Sequence, residues 1–119
     1  MQINGFAINL TSDNPDRLKA FYGGPVGLER RADMGDGAFA VGPGTLFIDG
    51  HSDTKGAAKE PQRVLINLFV DDLAAAQKPL DAAGVPCIRD AGREEWGGVI
   101  STFADPDGNY LQLIEFKGQ

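Results

Sequence analysis

A chain of 119 residues, 42% hydrophobic and 24% charged, has enough length to bury one domain's core. Its net charge of −6 argues against nucleic acid, because nothing in it could neutralise a row of phosphates. No apolar run approaches a membrane span, and the opening Met1-Gln2-Ile3-Asn4 has no basic or apolar leader, so a cytoplasmic protein is expected. The single cysteine, Cys87, excludes an internal disulfide and reads as a small buried hydrophobe.

In chain order, Ile3 to Thr11 alternates as a strand. Asn14-Pro15 then starts a helix, with Asn14 as N-cap and Pro15 at the first position, where its missing N–H costs nothing. Leu18, Phe21 and Tyr22 form the apolar stripe, and Gly23-Gly24-Pro25 ends the helix. Strands are expected at Leu28 to Asp33, Ala38 to Val41 and, after a turn at Gly42-Pro43-Gly44, Thr45 to Asp49. The stretch 51–62 is polar and turn-rich and reads as a linker. A strand at Arg63 to Val70 follows, then a helix from Leu73 to Ala83 that Asp71-Asp72 begin and Gly84 closes. Pro79 inside that helix should force a kink or an early break. Val85 to Asp90, Val99 to Ala104 and Tyr110 to Phe116 complete the strands.

The halves overlay: Gly27 falls on Gly84 and Asp33 on Asp90, each 57 residues on, Phe47 on Gln112 at 65, and Gly5 on Leu65 at 60. Such a repeat supports an old duplication, with drift through the loops. The single domain 1–119 divides into module 1 over about 1–50, the linker, and module 2 over about 63–119.

The turn Asp105-Pro106-Asp107-Gly108-Asn109 carries its own conformation. Both aspartates can bond the backbone ahead, Pro106 presets φ, and Gly108 supplies a positive φ. This hairpin, with Leu111-Gln112-Leu113-Ile114 after it, resembles the last hairpin of the vicinal-oxygen-chelate superfamily, the glyoxalase, bleomycin-resistance and dioxygenase proteins. The resemblance spans essentially the whole chain and implies an α+β fold of two βαβββ modules in one chain, forming curved mixed sheets with helices on one face.

Side-chain parity separates two faces. Phe6, Ile8, Leu10, Leu46, Ile48, Ile66, Leu68, Val70, Leu111 and Leu113 make an apolar face expected under the helices. The opposite face carries Asn9, Phe47 and Asp49 from the first half and Asn67, Phe69, Tyr110 and Gln112 from the second. Mixed aromatic, amide and carboxylate character suits a small-molecule pocket. Trp96 in a loop adds a stacking surface, and Phe39 is better read as core.

Metal-dependent relatives place His, Gln or Glu on four strands, where a divalent ion needs fixed N and O donors. The resemblance puts Gly5, Phe47, Leu65 and Gln112 at those positions, and only Gln112 has a donor. The only histidine, His51, lies past the fourth strand and reads as solvated, as does the pair Glu94-Glu95. No metal and no cofactor are expected. The resemblance therefore implies a metal-free binding protein that sequesters a drug or metabolite, with antibiotic resistance as one such role. Asn9, Asn67 and Gln112 would orient the ligand and Asp49 would pair with a cationic group. The alternative is a lyase, isomerase or dioxygenase with a non-standard site. Partners expected are the small molecule and a second copy in a homodimer, with no nucleic acid and no membrane.

Overall fold

The computed structural model describes residues 1–116. It forms two compact units, one from Met1 to Gly56 and one beginning at Ala57. In the first, strands β1 (Ala7–Ser12), β2 (Glu29–Arg30), β3 (Ala38–Val41) and β4 (Gly44–Gly50) accompany helix α1 (Pro15–Gly23). In the second, β5 (Ile66–Phe69), β6 (Cys87–Arg93), β7 (Val99–Ala104) and β8 (Tyr110–Glu115) accompany α2 (Leu73–Ala82). Each sheet is mixed, ordered β1-β4-β3-β2 and β5-β8-β7-β6, so the α+β reading with two βαβββ modules holds. Short 3₁₀ turns occupy Ala32–Met34 and Pro61–Arg63, which shortens the strands expected around them.

Each helix covers one sheet face. The Asn14 Oδ1 accepts from the Arg17 N–H at 3.3 Å, and Pro15 opens α1 as expected. Leu18, Phe21 and Tyr22 are buried, as are Phe39, Leu46 and Ile48 of the sheet. Each such side chain removed from water contributes about 1.5–3 kcal/mol. Phe39 is fully enclosed, its ring within 3.3 Å of where a Cβ on Gly23 would sit. In the second unit Leu73 and Leu80 of α2 are buried, with Leu68, Phe103, Leu111 and Leu113 of the sheet. The Glu115 carboxylate accepts from the Leu73 N–H at 2.9 Å and joins Asp72 in capping α2.

Several expectations need correcting. α2 does not break at Pro79 but continues to Ala82: the proline forgoes only its own bond to the Ala75 carbonyl, and three more helical residues follow. The apolar face of β1 is not fully covered: Phe6 is 76% exposed and Ile8 36%, since β1 is an edge strand and Phe6 precedes it. Cys87 is exposed at the start of edge strand β6; partial desolvation, and then the Asp90 carboxylate beside it, push its thiol up. Glu94 is not simply solvated but pairs with Arg89. Among the described residues no helix is long and apolar enough to cross a membrane.

Candidate functional site

The sheet face away from the helix holds every strand residue singled out from sequence, and the registers show which neighbours meet. In the first unit Asn9 lies beside Phe47 and Phe47 beside Ala38, whose carbonyl accepts from the Arg31 N–H at 2.8 Å. One transverse row therefore runs Asn9, Phe47, Ala38, Arg31. Asp49 stands one row on, beside Thr11. With its amide oriented to suit its neighbours, Asn9 Nδ2 donates to Asp49 Oδ2 and to the Phe47 carbonyl, both at 3.1 Å. The Arg31 guanidinium donates to Thr45 Oγ1 at 3.4 Å and to Asp33 Oδ2 at 3.1 Å.

In the second unit Asn67 lies beside Gln112, Gln112 beside Thr102, and Thr102 beside Arg89. The same kind of row thus crosses all four strands, and here every member is polar. Gln112 Nε2 donates to Thr102 Oγ1 at 3.0 Å. Phe69 sits one row on, beside Ile114, and Tyr110 one row back, beside Ala104. Trp96 is in the β6–β7 turn, where its ring lies over Gly98 and tilts against Phe116 at 5.5 Å between centroids. A Cβ on Gly98 would run into that ring, so only glycine permits this seat. His51 lies beyond β4, exposed, with Nδ1 accepting from the Asp53 N–H at 3.0 Å.

These rows correct the overlay of the halves on the first strand. Asn9 and Asn67 occupy equivalent positions, 67 − 9 = 58 residues apart, so Leu65 falls on Ala7 and Gly5 on Arg63. The caps Asn14 and Asp72 give the same spacing, 72 − 14 = 58.

Sequence reasoning missed Arg31, Arg89 and Thr102. A β-bulge between Cys87 and Arg89 hides Arg89: with unbroken pairing Ile88 would oppose Thr102, and the extra residue brings the arginine there instead. Alternation cannot reveal a bulge. Arg31 carried a signal, since it continues the β2 register opposite Ala38.

The donor set does not suit a divalent ion. Gly5, Phe47 and Leu65 offer no side-chain ligand, the corrected overlay brings in only Ala7 and Arg63, and Gln112 is neutral. Among the described residues no three His, Cys, Asp or Glu side chains gather in one place.

Residues 3–113 match the family model of the Glyoxalase/Bleomycin resistance protein/Dioxygenase superfamily, and the chain belongs to that superfamily. Among solved structures it is similar to a superfamily member from Sphaerobacter thermophilus, with 18% identity, TM-score 0.74, and 97% of this chain and 98% of the other covered. A family enzyme from Burkholderia phytofirmans shares 17% identity at TM-score 0.74, covering 92% and 95%. The lactoylglutathione lyase of Agrobacterium tumefaciens shares 21% at TM-score 0.70, covering 97% and 96%. At these identities the likeness is one of fold. None of the curated proteins matches the chain.

Proposed function

We propose that the protein binds a small molecule, a drug or metabolite, on the open faces of its sheets by hydrogen bonding and stacking, without a divalent metal. The observation that supports this reading is the composition of the two rows. The rows carry the amides of Asn9, Asn67 and Gln112 and the Phe47 ring, groups that orient and stack, and the family's ligand positions supply no set of metal donors. In the first unit Asp49, with Asn9 beside it, would receive a cationic group. A homodimer is part of the proposal: exposed Phe6 and Ile8 lie at or beside edge strand β1, where a second copy would cover them.

The test is a pair of measurements. Native mass spectrometry after incubation with nickel, zinc, manganese and ferrous iron should show no tightly held ion. A small-molecule screen read on Trp96 emission should yield ligands. One ion per chain at stoichiometric occupancy would overturn the metal-free reading, and turnover of α-oxo-aldehyde hemithioacetals or catechols on metal addition would favour an enzyme.

A further inference from the structure

Building on that small-molecule reading, we propose that the open face of the second unit takes an amphipathic carboxylate. Its acidic head sits on Arg89 and its apolar body on Trp96 and Phe116. The head site comes first. Arg89 ends the row Asn67, Gln112, Thr102, and its side chain is 48% exposed. A guanidinium carries five N–H donors in a flat fork that matches a carboxylate. One of its nitrogens meets Glu94, which leaves donors for a second acceptor. A Cβ on Gly92 would sit 3.5 Å from the Arg89 guanidinium; Gly92 faces the same way as Ile100, so the arginine lies over the open face.

The body site lies along the strands. The Arg89 guanidinium reaches one row along, to Gly92, and a further row on stands Phe116 with Trp96 covering Gly98. At a strand rise of about 3.3 Å per residue that leaves roughly 7 Å along the strands between the guanidinium and the Trp96 band. Trp96 is 50% exposed and Phe116 51%, so rings are presented rather than packed away. Polar head and apolar body are thus separated by a distance a short aryl or alkyl acid spans. The first unit repeats the pattern: Arg31 ends the equivalent row, which also begins with asparagine, and there its guanidinium is taken by Thr45 and Asp33. In the second unit it takes a bulge to put the arginine there.

A purely structural role, with Arg89–Glu94 bracing the β6–β7 turn, predicts a different response, and three probes separate the two. The probes are 3-phenylpropionate, 3-phenylpropionamide and 3-phenylpropylammonium, read on the indole N–H resonance of Trp96, the chain's single tryptophan. The acid should bind about tenfold more tightly than the amide, with the amine weakest, as expected when a charge-assisted pair replaces a neutral one. Arg89→Gln should abolish the preference for the acid. Glu94→Gln should raise acid affinity, because it removes the competing carboxylate; a brace predicts no gain, so this variant decides the matter even if Arg89→Gln fails to fold. Equal binding of acid and amide, or an unchanged acid affinity in Glu94→Gln, would overturn the acid head while leaving small-molecule binding in place. No shift with any probe would overturn the acid site, and the small-molecule reading would then stand or fall by the screen. A Trp96 resonance that moves with protein concentration alone would assign the face to a second copy and also overturn the proposal.

Discussion

The two halves share strand order, helix placement and the position of a buried phenylalanine, yet they differ where chemistry would occur. Phe39 opposes Leu46 in one and Phe103 opposes Leu111 in the other, and both rings are fully enclosed. On the face away from the helix the central pair is Phe47 and a buried Ala38 in the first unit but Gln112 and a buried Thr102 in the second. The covered face is held to one solution by packing, since a core must be filled densely whatever the ligand. The open face is free to diverge. The first half has an apolar floor with charges at its margins, and the second has a continuous polar band beside aromatic rings.

The largest expected effect tests whether the covered faces are equivalent. Phe39→Ala and Phe103→Ala should each cost about 3–5 kcal/mol, measured by urea unfolding. A cost below about 1 kcal/mol at either would break the equivalence. Next come the two closing hairpins, which differ in kind. The β7–β8 turn hangs on Asp105, 4% exposed, whose carboxylate accepts from the Asp107 N–H, the Asn109 N–H and the Asn109 side chain, each at 2.9 Å. Asp105→Ala should cost about 2–3 kcal/mol, since buried donors lose a charged acceptor. The β3–β4 turn relies instead on Gly42 at φ +52°, and Gly42→Ala should cost only about 1 kcal/mol. Equal costs at both turns would mean the side-chain network adds nothing to backbone conformation.

That contrast also shows what the sequence makes legible. Asp105-Pro106-Asp107-Gly108-Asn109 encodes its turn locally, Gly108 indeed takes φ +81°, and the last strand follows by alternation. The caps Asn14 and Asp72 are equally local and fall where their side chains announce them. Parity on β4, β5 and β8 brought Phe47, Asp49, Asn67 and Gln112 to the open face, because an alternating strand needs no tertiary information to sort its sides. What stayed hidden depends on pairing between segments. The bulge before Arg89, the rows that join Asn9 to Arg31 and Asn67 to Arg89, and the seat of Trp96 on Gly98 arise only when strands meet. Cys87 was misjudged for the same reason: its exposure follows from β6 lying at an edge.

A smaller effect sharpens the comparison at the helix starts. The α1 N-terminus has the Asn14 cap, whereas α2 has both Asp72, bonded to the Ala75 N–H at 3.1 Å, and Glu115. Asn14→Ala should cost about 1 kcal/mol, and Asp72→Ala less, because Glu115 continues to hold the Leu73 N–H. Adding Glu115→Ala to Asp72→Ala should then cost more than the sum of the two alone. Strict additivity in a double-mutant cycle would show the two acceptors act independently.

The smallest effect is a difference in acid response between the halves. Asp36, just before β3, accepts from Lys19 Nζ of α1 at 2.9 Å, with Arg30 at 3.6 Å. The hydrogen bond from Lys19, its charge, and then Arg30 hold the Asp36 carboxyl below the usual carboxylate value, against a smaller opposing desolvation. At the equivalent place in the second unit stands Ile100, which does not titrate: Asp36 precedes Ala38 by two residues as Ile100 precedes Thr102, and those two occupy matching rows. The sign follows from linkage. A carboxyl lowered on folding contributes stability above its unfolded value and loses that contribution as pH falls through the folded one. Asp36→Asn should therefore lower the melting temperature slightly at pH 7 and leave it unchanged well below the folded value, where native Asp36 is protonated as well. Carboxyl-carbon NMR titration reads the site directly, and Lys19→Met should return Asp36 toward the ordinary value. A titration midpoint indifferent to Lys19 would place the cause elsewhere, and the acid response would then belong to both halves alike.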